Sequence, residues 1–228
     1  MSQTAELGVM SGAAVEPGLL AAADAFRRQT HNRIIVTFAT TPQMRQRISA
    51  GETPDVIVAP PALLDELERS GRIGGARRVL LGRVGVGVAI RAGAPIPDVS
   101  TADALQRALL DADRIIYNRA SSGLYVERLL QRLGIAERIE AKTERYTGTD
   151  MAAPLIEGRG KDIGFMPVAQ ILHLRSRGMQ LAGPLPAEIQ HYTEYVAAAA
   201  SGSELARDFV YFLGAPEARA LFAAAGIG

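Results

Sequence analysis

Short apolar runs alternate with stretches whose apolar residues recur at helical spacing, and this alternation continues along most of the chain. Leu7 to Met10 reads as a strand, Ser11-Gly12-Ala13-Ala14 as a small-residue loop, and Pro17 opens a helix with Leu19, Leu20, Ala23 and Phe26 on one face. Ile34 to Phe38 predicts a second strand. Thr40-Thr41-Pro42 is a stop and helix-start signal, and Met44 and Ile48 continue at helical spacing up to Gly51. Asp55 to Ala59 is a third apolar run, closed by Pro60-Pro61, after which Leu63, Leu64 and Leu67 begin a helix ending near Gly71. Such strand–helix alternation predicts a parallel sheet covered by helices.

The Gly-punctuated run Val84 to Ile90 is long enough to leave one lobe and enter another. A second set of units follows it: a helix from Thr101 to Leu110, a strand from Arg114 to Tyr117, a loop Asn118 to Gly123, and a helix from Leu124 to the stop at Gly134. Gly148-Thr149-Asp150 precedes a helix from Met151 to Glu157, and Asp162 to Met166 is a further strand. Pro184 and Pro186 interrupt the pattern, and Tyr192 to Ala200 reads as a strand returning to the first lobe. Ser203 then caps a helix with Phe209, Val210 and Leu213 inward, and a last helix spans Pro216 to Ala225. The expected architecture is α/β: a discontinuous first lobe of 1–84 and 191–228, a second lobe of 85–190, each a mixed, mainly parallel sheet with flanking helices, and two crossover strands.

A length of 228 residues accommodates two such lobes. Lys and Arg number 25 against 24 Asp and Glu, with no basic stripe, so nucleic acid is a poor partner for this chain. The absence of cysteine excludes disulfides, thiolate metal sites and cysteine nucleophiles. His31, His173 and His191 show no metal-ligand spacing, so no metal is expected. Gly85-x-Gly87 lies within a strand and lacks the third glycine of the dinucleotide fingerprint. With no Walker lysine, G-x-S-x-G elbow or H-E-x-x-H either, no cofactor is implied. No run reaches the ~18 apolar residues of a membrane span. The start MSQTAEL lacks an export signature, so the chain is expected to be periplasmic if a signal was removed and cytoplasmic if Met1 is the native start.

Ser11-Gly12, Thr40-Thr41, Ser121-Ser122 and Gly148-Thr149 share one format: each follows a predicted strand and precedes a predicted helix. In an open α/β sheet such loops lie at the carboxyl ends of strands, where ligands bind. The first N–H groups of a helix have no intrahelical partner and favour negative charge. Hydroxyls beside them complete an anion site without a lysine. Since Ser, Thr and Asp are preferred at any helix start, each loop alone also has a plain capping explanation. Arg119 stands between a strand and the Ser121 loop and could pair bidentately with a carboxylate or be a surface charge.

On these patterns the chain resembles the molybdate-binding-type solute receptors of bacterial ABC transporters, with the type 2 periplasmic-binding-protein fold. The segments that carry the resemblance are LGVMSGAAVEPGLLAAADAF through ERSGRI, YNRASSGLYVERLLQRLGI, IGFMPVAQIL, LAGPLPAEIQHYTEYVAA and FVYFLGAPEARALFAAAGI. The resemblance implies a monomer that closes around a small oxyanion or carboxylate and hands it to a transporter permease. It implies that Ser11 and a hydroxyl of Thr40-Thr41 bind from one lobe, that Ser121 or Ser122 and the Gly148-Thr149 turn bind from the other, and that Tyr192 lies near the hinge. Asp150 departs from the family's glycine-rich turn, and it and Arg119 favour an organic anion over molybdate. A looser resemblance to aconitate-isomerase-like proteins implies the alternative of an isomerase acting on an unsaturated di- or tricarboxylate. Its acid–base candidates are Tyr117, Tyr146, His191, Tyr192 and Glu194.

Overall fold

The computed structural model describes residues 5–74, 77–147 and 151–228. The chain divides into two compact units, one formed by the chain up to Val84 with Glu194–Gly228, the other by Gly85–Thr193. In chain order the elements begin with β1 (Glu6–Gly12), a 3-10 turn Ala13–Val15, α1 (Glu16–Thr30), β2 (Arg33–Ala39), α2 (Thr41–Ser49), β3 (Val56–Ala59) and α3 (Pro61–Arg69). They continue with β4 (Arg78–Arg91), α4 (Ala102–Asp111), β5 (Ile115–Asn118), α5 (Ser121–Arg132), α6 (Ala136–Ile139), β6 (Thr143–Tyr146), α7 (Ala152–Ile156) and β7 (Ile163–Pro167). The remainder comprises α8 (Val168–His173), β8 (Met179–Pro184), β9 (Tyr192–Ala199), α9 (Glu204–Leu213) and α10 (Pro216–Ala224). This is an α/β fold built on mixed sheets with flanking helices.

In the first unit β1 is paired in parallel with both β2 and β3, and β9 joins β3 antiparallel. Alternation along β1 sends Met10 into a cluster with Ile57, with Met44 and Ile48 of α2 and with Leu63, Leu64 and Leu67 of α3. A second, aromatic cluster forms where Phe26 of α1 meets Phe209 of α9 edge to face, ring centroids 5.1 Å apart, and Phe212 at 5.3 Å. Each such ring, fully buried, stabilises the unit by about 1.5–3 kcal/mol. β4 starts at Arg78, before the expected Val84, and the chain's tail pairs with it at Arg83, whose N–H donates to the Gly228 carbonyl (3.1 Å) and whose carbonyl accepts from Gly228 N–H (3.2 Å).

In the second unit β5 lies between β6 and β7, parallel to both, while β4 pairs antiparallel with β7 and with β8. The apolar faces of α4 and α5, through Leu105, Leu109, Val126, Leu129 and Leu130, cover Val88, Ile115, Tyr117 and Phe165. Ile116, Met151, Leu155, Met166, Ile171 and Met179 form a second cluster with Ala89. A strand buried on two sides reads as a continuous apolar run, which is why β5 and β7 were visible in the sequence. By contrast β6, Thr-Glu-Arg-Tyr, is half-buried throughout and has no such run.

Candidate functional site

β1 carries on two residues beyond the apolar run that announced it, so Ser11 and Gly12 are its last two residues rather than loop. Ser11 is fully buried, and its hydroxyl donates to the Gly12 carbonyl (3.1 Å). A ligand would recruit that hydroxyl only by turning it out of this bond. Gly12 is a matter of space: a Cβ there would stand 2.6 Å from Cε1 of Tyr195. The register of β9 against β3 pairs Ala59 with Val196, so Tyr195 sits just past the carboxyl end of β3. It is buried to 8% exposure, and among the described residues its hydroxyl has no hydrogen-bond partner. Burial pushes that hydroxyl up to about 12, which keeps it protonated and a donor at neutral pH.

Thr40 and Thr41 have different roles. Thr40 is the N-cap of α2 in a capping box: its N–H and hydroxyl both donate to Gln43 Oε1 at 2.9 Å, and its oxygen accepts from Gln43 N–H. Thr41 is the first helical residue, half-buried, with neither its N–H nor its hydroxyl engaged among the described residues. No acidic side chain occupies the first turn of α2, whereas α1 starts with Glu16, whose carboxylate already answers that helix's dipole. Of the candidate donors in this unit, those of Thr41 and Tyr195 are unengaged among the described residues, whereas the Ser11 hydroxyl is held by the Gly12 carbonyl.

In the second unit Ser121, Ser122 and Gly123 form the first turn of α5 itself. The N-cap is Ala120, which has no capping side chain, and no acidic residue stands in the first turn. The three leading N–H groups and the two serine hydroxyls, both half-buried, are unengaged among the described residues. The turn is drawn tightly against β5: a Cβ on Gly123 would lie 1.5 Å from the Asn118 carbonyl oxygen, so only glycine fits. Asn118, itself buried, accepts from Ala120 N–H at 3.0 Å and fixes the bend. Arg119, at the head of that bend, is exposed; its N–H donates to the Tyr146 carbonyl (3.0 Å) and its guanidinium makes no ion pair with a described residue.

The remaining candidates are less favourably disposed. Gly148, Thr149 and Asp150 lie outside the described residues. Tyr192 is half exposed, at 49%, and is placed in the second unit near Gly85. Among the acid–base candidates, the Tyr117 hydroxyl accepts from Arg145 Nε (2.9 Å) and burial pushes its pKa up. Tyr146 donates to Glu144 (2.8 Å), which also raises its pKa. His191 stacks on Tyr125 with ring centroids 4.4 Å apart, and burial lowers its pKa. Glu194 is exposed. Among the described residues no cluster of His, Asp or Glu has the makings of a metal site, and no helix is long and apolar enough to cross a membrane.

Tyr195 is the residue that sequence reasoning missed. Two tyrosines three positions apart precede one apolar run, and pattern alone does not say which is covered; the strand register does. The unbroken apolar run Tyr-Val-Ala-Ala-Ala after the polar Thr193-Glu194 was the available signal, since Tyr195 is the first residue of the continuously buried stretch of β9.

The family model for bacterial extracellular solute-binding proteins matches residues 7–228. The chain belongs to that family. Among relatives of this solute-binding protein is an aconitate isomerase from Pseudomonas sp., 28% identical over 221 residues, which span 93% of this chain and 83% of that protein. Among solved structures, the periplasmic molybdate-binding protein of Azotobacter vinelandii superposes with a TM-score of 0.80 over 97% of this chain and 98% of that one, at 18% identity. The sulfate-binding protein SubI of Mycobacterium tuberculosis H37Rv gives 0.76 over 98% and 86%, at 15% identity. At such identities the structural likeness shows the fold that the solute-binding family shares, the type 2 periplasmic-binding-protein fold.

Proposed function

We propose that this solute-binding protein takes a small anion, an oxyanion or small carboxylate, and delivers it to an ABC transporter outside the cytoplasmic membrane. The observation that carries this reading is the start of α5: two hydroxyls and three leading N–H groups, uncapped by any side chain and held against β5 by a glycine that admits no substitute. Other helix starts of this chain, those of α1, α3 and α10 among them, also lack a side-chain cap; what sets α5 apart is the pair of hydroxyls in its first turn with no carboxylate beside them. A helix start left with neutral donors and no carboxylate is suited to a negative ligand. The lobes are taken as 1–84 with 191–228, and 85–190. Thr41, Tyr195 and Ser11 act as donors on the first lobe, Ser121, Ser122 and Arg119 on the second, with Gly12 and Gly123 setting the close approaches and Tyr192 beside the crossover strand. The Thr40 hydroxyl serves the helix, and Gly148 and Thr149 complete the second lobe's donor set by their place in the sequence. The ligand being enclosed, domain closure is the mode of binding, and a monomer suffices for it.

Arg119 supports an organic acid within this class, because a guanidinium fork matches a planar carboxylate. The test is titration of the purified chain with molybdate, sulfate and trans-aconitate, for the native protein and for Thr41→Ala combined with Ser121→Ala. Binding that the double variant loses while keeping its fold supports the reading; binding that it retains in full contradicts it.

A second reading, favoured by the aconitate isomerase among the relatives, is an isomerase of an unsaturated di- or tricarboxylate on the same site. Tyr195, protonated at neutral pH, would act as a proton donor, and a base would be needed on the opposite side of the substrate. Incubating cis- and trans-aconitate in deuterated water separates the two: isomerisation or deuterium uptake supports the enzyme, and unchanged substrate supports simple binding.

A further inference from the structure

A cavity of about 420 Å³ opens in the second unit, where the chain enters β5 and β7, at the end of those parallel strands opposite the start of α5. Its apolar wall is Ile90, Ile96, Ala104, Ala108 and Ile163, and Ile96 is 63% exposed at its mouth. Its charged wall is Asp98, Arg107, Asp111, Lys161 and Asp162. Asp162, just before β7, is 3% exposed, and Arg114 directs both Nε (3.2 Å) and Nη2 (2.7 Å) to a single oxygen, Oδ2. The other oxygen, Oδ1, is buried with no hydrogen-bond partner, the only such side-chain atom among the described residues. Lys161 Nζ pairs with Asp111 (2.8 Å) across an exposed edge, where both side chains are more than half in solvent. An ion pair so exposed is held weakly and is free to exchange partners.

We infer that this cavity is a second ligand site, for a small aliphatic α-amino acid of about the size of leucine. Each wall selects one part of such a molecule. A buried carboxylate oxygen without a donor favours a ligand carrying one, and an ammonium group fits best because it also carries the opposite charge. Lys161 and Arg107 supply cations for a carboxylate, which three aspartates would repel in their absence. The isoleucines and alanines match an aliphatic side chain, and the volume lies in the range of small-molecule pockets. A simple anion would leave Asp162 Oδ1 without a donor, and a simple amine would leave Arg107 without a carboxylate and Lys161 on its exposed pair with Asp111. The inference does not rest on the proposed anion site, which lies at the other end of β5.

The test is thermal-shift and calorimetric titration of the full chain with L-leucine, with 4-methylpentanoate, which lacks the ammonium, and with 3-methylbutylamine, which lacks the carboxylate. Leucine is expected to raise the unfolding midpoint saturably, and both truncated analogues to do so less at equal concentration. Ala108→Phe fills the cavity and should abolish the leucine response while leaving oxyanion or aconitate binding as in the native protein. Asp162→Asn should weaken leucine at least tenfold; should that variant not fold, Ala108→Phe and the analogues decide. No response to leucine, a response that Ala108→Phe leaves unchanged, or a response matched by 4-methylpentanoate would overturn the inference.

Discussion

Adjacent residues with the same side chain do different work here. Thr40 and Thr41 are indistinguishable in the sequence, yet Thr40 closes a capping box and Thr41 leaves its donors open. Thr40→Ala should therefore cost about 1 kcal/mol of stability by urea denaturation with a modest effect on ligand affinity. Thr41→Ala should leave the denaturation midpoint in place and lower affinity. Equal effects of the two on stability would remove the distinction. The Tyr195 hydroxyl yields a companion prediction, since a hydroxyl with no partner among the described residues contributes no hydrogen bond to the free fold. Tyr195→Phe should match or exceed native stability while weakening anion binding. A loss of stability of about 1 kcal/mol or more, the usual worth of a hydrogen bond, would mean that the hydroxyl has a partner in the protein. Gly12→Ala, whose added methyl would press the Tyr195 ring, should be destabilising by about 1–3 kcal/mol.

Among the elements, what the sequence made legible follows from burial. β1, β2, β3, β5, β7 and β9, and the helices α1 to α5, α9 and α10, each present an apolar run or an apolar face, and each was expected close to its observed span. β6 and β8 were not, because Thr143–Tyr146 and the Gly- and Pro-containing Met179–Pro184 are only partly covered and pair through their backbones. The same logic applies to the site. Hydroxyl and glycine positions near strand ends were legible as a format, but whether a hydroxyl caps its own helix is decided by rotamer and register, which no one-dimensional pattern contains. The segment Pro186 to His191 shows how much a loop can carry unseen. Gln190 accepts from Val86 N–H (2.9 Å) and His191 N–H (2.8 Å), and donates to the carbonyls of Val86 (3.1 Å) and Leu185 (3.2 Å). Gln190→Ala should lower the stability of the second unit by about 1–3 kcal/mol, measurable by hydrogen exchange of β4 and β8. Next to it, burial lowers the pKa of His191, followed in effect by the charge of Arg128. The unfolded chain then binds a proton more readily than the folded one, so the stability due to His191 is full above about pH 6.5 and is lost as pH falls below it. Melting midpoints from pH 8 to pH 5 should fall less steeply for His191→Gln than for the native protein; parallel slopes would assign the acid sensitivity elsewhere.

For the whole molecule, membership of the solute-binding family and the shared fold fix the architecture, while in the proposed reading the ligand is decided by a few donors at strand ends. In each unit, taken by itself, those donors are neutral and unopposed by a carboxylate in the same helical turn, with Arg119 the added charge in the second. This composition favours a small anion over a cation or an apolar ligand. It also gives linkage a simple form, since a ligand at a hundred times its Kd stabilises the folded protein by about 2.7 kcal/mol. The most direct test is the thermal midpoint of the native chain with molybdate, tungstate, sulfate and trans-aconitate in turn, alongside Thr41→Ala combined with Ser121→Ala. At least one of these anions should raise the native midpoint saturably, with little or no rise in the double variant. A midpoint unmoved by every one of them, or moved equally in both proteins, would contradict an anion site at the starts of α2 and α5.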